Sequence, residues 1–299
     1  VFAPLAASFP AKGAGRTTRK QVAQSLGYSR QYLYKLQRQE ATRQLVEQQV
    51  KALVCEQRKL LPRLGTRKLH FKLGPQLQAK GIKLGRDKLF CLMREFDLLI
   101  GPKRRYVQTT MSRHHLRKYP NLVKGLPLTA PEQVWASDIT YVRTRQGTCY
   151  VNLVTDAFSR RIMGYTAAAD MEAVSMGRAL VMALSAKQTT ADTIHHSDRG
   201  LQYCSRHYVG LATERGLRMS MTQDSDPYEN ALAERMNRTL KEEFGLGNTL
   251  DSLKQVELLL KQAVELYNAH RPHLALKMKT PQQVHQEKIP ACLNKPGPC

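Results

Sequence analysis

The chain has 299 residues and a formal net charge of +23, unevenly spread. Residues 1 to 130 hold 27 Lys and Arg against 6 Asp and Glu, a net of +21; residues 131 to 299 hold 20 against 18, a net of +2. The length exceeds one typical domain, and the basic half reads as an electrostatic footprint for phosphate beside an ordinary globular half. No stretch approaches the roughly 18 apolar residues of a membrane span, so no membrane partner is expected. The opening ten residues lack the basic start of a signal peptide. Six cysteines without a CxxC pair point to free thiols in a reducing compartment, with no structural zinc.

Residues 17 to 40 read as two short helices around Gly27, with Ser29 placed to cap the second. Arg30, Gln31, Tyr34 and Lys35 on that second helix form the exposed face that a helix-turn-helix presents to DNA. A longer helix is predicted over 41 to 60, with Leu45, Val50, Leu53 and Val54 as its apolar positions. A second helical pair follows, 66 to 80 and 86 to 98, built on Leu69, Leu73, Leu77, Leu89, Leu92 and Met93. Its second helix opens with Arg86 and Lys88, the end a recognition helix would offer to bases. From 101 to 130 periodicity fades into a basic linker. Its run Lys103, Arg104 and Arg105 can track a phosphate backbone.

Strands are predicted at 133 to 143, 148 to 156, 160 to 167, 193 to 197 and 217 to 221. Helices are expected at 171 to 186 and 205 to 215. That order, hairpin-linked strands and then helical crossovers to parallel strands, predicts an α/β ribonuclease-H-like core with a five-stranded mixed sheet. Helix-turn-helix domains would precede it. The domain boundaries expected are 1–60, 61–100, 101–130, 131–247 and 248–299, the last a helix (253 to 268) and a basic, proline-containing tail.

Three carboxylates stand out. Asp is depleted in strand interiors, yet Asp138 falls inside a strand on the face of Val134, Ala136, Thr140 and Val142. A carboxylate there is protonated, paired or bound to metal. Asp198 sits where a β-branched run breaks before Arg199-Gly200, at the strand lip where α/β sheets bind ligands. Glu234 lies on a helix that Asp226, Pro227 and Glu229 would open as a capping box, on the side of Asn230, Arg238 and Lys241. Asp156 also ends a strand, but Ala-Phe-Ser-Arg after it marks a turn or cap. His195, His196, His270 and His273 read as hydrogen-bonding or phosphate-facing residues, since neither pair has matching metal partners nearby. Three anions in one pocket repel unless a cation lies between them, and oxygen-only ligands favour Mg²⁺, with Mn²⁺ able to substitute. Two such ions per site suit in-line phosphoryl transfer.

Trp135-Ala-Ser-Asp-Ile-Thr-Tyr141, His196-Ser-Asp-Arg-Gly-Leu-Gln-Tyr203 and Asp226-Pro-Tyr-Glu-Asn-Ala-Leu-Ala-Glu-Arg235 resemble the core of insertion-sequence transposases of the IS-three group, the OrfB-type enzymes that share the retroviral integrase core. The 35 residues between Asp198 and Glu234 and the Lys seven positions after Glu234 fit the family pattern. Tyr267-Asn-Ala-His-Arg-Pro-His273 followed by Thr280-Pro281 resembles its tail. The resemblance implies that Asp138, Asp198 and Glu234 bind the metals and that Lys241 contacts DNA, with Arg238 and Arg199 beside it. It implies a transposase that cleaves double-stranded DNA at element ends and joins the 3′-hydroxyl to a target. It further implies homo-oligomers of at least a dimer on paired ends, an upstream-frame helix-turn-helix partner, and a cytoplasmic, nucleoid-associated place in a bacterium. A hydrolytic nuclease and a non-cutting DNA-binding protein are the competing readings; all three carboxylates argue against the second.

Overall fold

The computed structural model describes residues 25, 27 to 101, 115 to 223 and 230 to 288, with Arg30 as backbone only. The first helix of the expected helix-turn-helix (19 to 26, apart from Ser25), Lys103 to Arg105 and the capping box of 226 to 229 lie outside the described residues.

Ser29 Oγ accepts from the Tyr32 amide at 3.1 Å, and helix α1 (Arg30–Leu60) starts there. The two expected helices are one helix of 31 residues. No glycine or proline interrupts 30 to 60, and Arg43 pairs with Glu40 and Glu47 at one-turn spacing across the expected break. Leu45 is 61% exposed, whereas Val50 and Val54 are buried. Helices α2 (Thr66–Ala79) and α3 (Arg86–Glu95) bury all six predicted core residues. Gln31, Tyr34, Lys35, Arg86 and Lys88 are exposed.

The sheet has order β3-β2-β1-β4-β5. β1 (Val134–Thr144), β2 (Gly147–Asp156) and β3 (Ile162–Ala168) pair antiparallel. β4 (Thr193–Ser197) runs parallel to β1 and β5 (Leu217–Met221) parallel to β4. Alternation sends Trp135 of β1 toward α4 (Ala173–Ser185) and α6 (Arg206–Glu214), with Val154, Leu180 and Tyr208 around it; α5 is the single turn Leu201–Cys204 before α6. Val142, on the opposite face, packs with Met236 and Leu240 of α7 (Ala231–Glu243) and Leu260 of α8 (Leu253–His270). A five-stranded mixed sheet between two helical layers in this order is the ribonuclease-H-like fold. None of the described helices is long and apolar enough to cross a membrane.

Gly164 of β3 lets α4 lie directly on the sheet. A Cβ there would meet the Ala179 carbonyl oxygen at 2.0 Å and the Ala183 amide nitrogen at 2.7 Å.

Two stretches that periodicity left as linker and tail are fastened to the core. Leu122, Val123 and Leu128 pack on Val134, Ala157 and Ile194, and the Leu122 amide donates to Ser220 Oγ. Within the tail, Thr280 and Gln283 cap each other reciprocally and open helix α9 (Pro281–Lys288). Its His285 is buried against Ser159 Oγ at 3.0 Å and Glu132 at 3.4 Å. Asp156, also buried, accepts from the Ser159 amide and hydroxyl and from the Glu132 amide, which makes it the turn cap its sequence context indicates.

Candidate active site

Register places the two aspartates. Ser137 of β1 pairs with Ser197, the last residue of β4, so Asp138 and Asp198 occupy the next positions on adjacent parallel strands. Equivalent positions on parallel neighbours share a face, here the face toward α7. β4 ends at that point because Asp198 Oδ1 accepts the Gly200 amide at 2.9 Å, folding the chain back into a side-chain-closed turn. A Cβ on residue 200 would sit 2.9 Å from that same oxygen, so glycine is the residue that fits.

Helix α7 supplies the third carboxylate and braces the first. Asn237 Nδ2 donates to Asp138 Oδ2 at 2.8 Å, and Asn230 Nδ2 donates to the Ser137 carbonyl at 3.2 Å. Lys241 Nζ lies 4.4 Å from the centre of the Tyr141 ring. These three residues face β1 one after another along the helix, while Met236, Leu240 and Phe244 bury its apolar side. The polar side of this helix is therefore a packed surface. Only Glu234 and Arg238 of the predicted group are exposed. Sequence reasoning missed Asn237, although its place three residues after Glu234 on the same helix was a usable signal.

The electrostatics bind the three acids into one site. Burial pushes the Asp138 carboxyl up to about 7, with Asp198 and then Glu234 adding to the push and the Asn237 hydrogen bond opposing it. Glu234 is raised by burial and by Asp198. Nearby oxygens are also unspent: Asn230 Oδ1 and Asn237 Oδ1 are buried with no hydrogen-bond partner among the described residues. Carboxylates and amide carbonyls alone form a hard-donor set, the chemistry that suits Mg²⁺ or Mn²⁺. Among the described residues no three His, Cys, Asp or Glu side chains are gathered tightly enough to enclose an ion as they stand.

Several of the residues predicted to contact DNA also have partners within the chain. Lys241 is only 9% exposed, and burial lowers its pKa against the pull of Asp138; it turns inward because Tyr141 offers an aromatic face beside a carboxylate. Arg199 Nε donates to the Thr222 carbonyl at 2.6 Å, tying the turn after β4 to the end of β5. Arg238 pairs with Glu242 one turn on. Arg86 pairs with its neighbour Asp87, and Lys88 Nζ stands 3.9 Å from Glu47.

His195, His196 and His273 have structural partners, whereas the His270 side chain is exposed. His195 lies between Ser137 Oγ at 3.0 Å and the Tyr208 hydroxyl at 3.1 Å, and burial lowers its pKa to about 3. His196 pairs with Ser220. In the tail motif, Asn268 hydrogen-bonds both the amide and carbonyl of Ile162. Arg271 makes a two-point contact with Glu243, and His273 lies beside it. That motif docks α8 on β3.

Residues 129–227 match the family described as Integrase core domain, and residues 215–281 match a second family of the same description. The chain is 36% identical over 214 residues to the insertion element IS600 uncharacterized 31 kDa protein of Shigella sonnei, covering 71% of this chain and 77% of the relative. It is 33% identical over 200 residues to the transposase for insertion sequence element IS629 of Shigella sonnei, covering 67% of each. Its backbone aligns with the simian T-cell lymphotropic virus intasome in complex with PP2A regulatory subunit B56 gamma at 16% identity and a TM-score of 0.47, covering 79% of each chain.

Proposed function

The chain belongs to the integrase-core transposases of insertion sequences, DDE polynucleotidyl transferases that act on DNA, and from that premise we propose that Asp138, Asp198 and Glu234 are its catalytic carboxylates. The observation that carries this reading is the strand register that sets Asp138 and Asp198 side by side, with the helix that bears Glu234 hydrogen-bonded to Asp138 through Asn237. Two divalent ions bound there, Mg²⁺ or Mn²⁺, would supply activation of the attacking hydroxyl and stabilisation of the leaving oxygen in an in-line displacement.

The protein's own contribution is placement. Asp138 and Asp198 are fixed by sheet register and by the Gly200 turn. Asn237 holds one Asp138 oxygen, which directs the other toward the pocket. Glu234, exposed on the first turn of α7, is the ligand free to rotate inward, and mutual repulsion among three anions keeps the site open until a cation relieves it. Lys241 compensates Asp138 from below. The substrate is double-stranded DNA at the element ends and at the target. Assembly as a homo-oligomer on paired ends, an upstream-frame helix-turn-helix partner and a place on the bacterial nucleoid in the cytoplasm belong to the same reading.

The test is strand transfer by purified protein on a labelled duplex of the element end with Mg²⁺ or Mn²⁺, beside Glu234→Gln. Joined products that vanish in the variant, with DNA binding retained, support the assignment. Cleavage without joining would favour a hydrolytic nuclease on the same fold, and binding without either reaction a non-cutting DNA-binding protein.

A further inference from the structure

The second helical pair does not stand clear of the catalytic core. Lys72 Nζ donates to the His270 carbonyl at the end of α8 at 3.1 Å. A cleft of about 690 Å³ opens between the starts of α2 and α3 on one side and the end of α7 on the other. Its walls carry Arg63, Arg67, Lys68 and Arg86, with Asp87, Glu242 and Glu243.

Four cations face three acids, and each acid already has a guanidinium at hydrogen-bond distance. Asp87 holds Arg86 at 2.8 Å, Glu242 holds Arg238 at 2.9 Å, and Glu243 holds Arg271 at 2.7 Å. Among the described residues Arg67 and Lys68 then have no carboxylate at salt-bridge distance, and Arg63 reaches only the Gly101 carbonyl. The surplus is felt locally. Lys68 is pushed down to about 8 by burial and then by Arg271, with Glu243 pulling the other way and Arg235 adding to the push. His273 is pushed down to about 3 by burial, then by Arg271, Lys68, Arg160 and Arg235. Burial accounts for the largest part of each shift and the neighbouring guanidinium groups add to it; cations gathered along the seam of a cleft in this way attract polyanions. Arg235, whose charge reaches both Lys68 and His273, lies on α7, the helix that also carries Glu234.

We infer that this seam is a binding site for the sugar-phosphate backbone of duplex DNA, in which Arg67 and Lys68 of α2 grip one strand as it passes from the helical pair to the carboxylates. The identity of the polyanion rests on the transposase reading; the cationic surplus does not. Such contacts position the duplex without reading its sequence.

The experiment measures binding of the full chain to two duplexes, one with an element end and one scrambled, across a salt series. Each lost phosphate contact lowers the slope of log K against log salt by about 0.9. The variant R67Q/K68Q is expected to lose about 1.8 from that slope on both duplexes alike. Arg67→Gln alone, at an exposed position, is expected to lose about 0.9, and keeps the test sound if the double variant folds poorly. An unchanged slope with a lowered Tm would overturn the inference and make the seam an internal clamp. Wild-type protein that binds both duplexes with the expected slopes but never joins ends would unseat the transposase reading and leave the seam standing.

Discussion

Removing the Asn237 amide tests the geometry of the carboxylate pocket most directly. Asn237→Ala takes away the donor 2.8 Å from Asp138 Oδ2, which holds down a carboxyl already pushed up to about 7. A hydrogen bond to a charged group contributes about 1.5–3 kcal/mol, and half-burial of Asp138 favours the lower figure. At about 1.4 kcal/mol per unit, the Asp138 pKa rises by about one. Ionised Asp138 at pH 7 then falls from about one half to about one eleventh, so the apparent Mg²⁺ affinity drops about fivefold. At pH 9 both proteins are almost wholly ionised and the gap closes. The assay is strand transfer against Mg²⁺ concentration at pH 7 and pH 9, each variant compared with wild type at the same pH. A deficit equal at both pH values, or an unchanged Mg²⁺ requirement at pH 7, would refute the reasoning and leave Asn237 a packing residue.

Gly164→Ala drives a Cβ into the backbone of α4; overpacking costs about 1–3 kcal/mol, and a lowered Tm with loss of the near-ultraviolet signal of Trp135 would register it. His285→Ala removes a buried side chain that hydrogen-bonds Ser159 Oγ and lies against Glu132. With about 1–3 kcal/mol lost, α9 should loosen, and trypsin should cut at Lys279 or Lys288 in the variant before the wild type. The raised pKa of Asp138 also fixes a sign. A carboxyl raised on folding favours the folded state below its unfolded value near 4 and loses that contribution as pH rises toward 7. In chelator, Asp138→Asn should therefore gain Tm over wild type between pH 5 and pH 8, and added Mg²⁺ should erase the difference at pH 8 by stabilising wild type alone.

The five strands were legible because their chemistry is local: β-branched alternation, and breaks at Asp156 and Asp198 where side chains cap their own turns. The core of the second helical pair was legible for the same reason, since leucines at one-turn spacing leave a helix one face to bury. The unbroken α1 was not, because the polar run at 37 to 44 shows no apolar periodicity, although no glycine or proline interrupts it and Arg43 pairs across it at one-turn spacing. The face of α7 was misjudged on a sound rule. Polar residues at helical spacing usually meet water, but here Asn230, Asn237 and Lys241 meet β1. No pattern shows that a neighbouring strand offers a carbonyl, a carboxylate and an aromatic ring in register. His285 was invisible because its partners lie more than a hundred residues upstream.

By itself the sequence determined the types of the core elements, their order along the chain and which three carboxylates to suspect, since each depends on residues near one another along the chain. Tertiary structure decided which cations are spent and which remain. Lys241 and Arg199 read as free charges until the fold set Tyr141 and the Thr222 carbonyl beside them. Arg67 and Lys68 drew no notice until the fold set them in a cleft with no carboxylate at salt-bridge distance among the described residues. Net charge is a property of sequence, but uncompensated charge depends on distance, and distance exists only once the chain has folded.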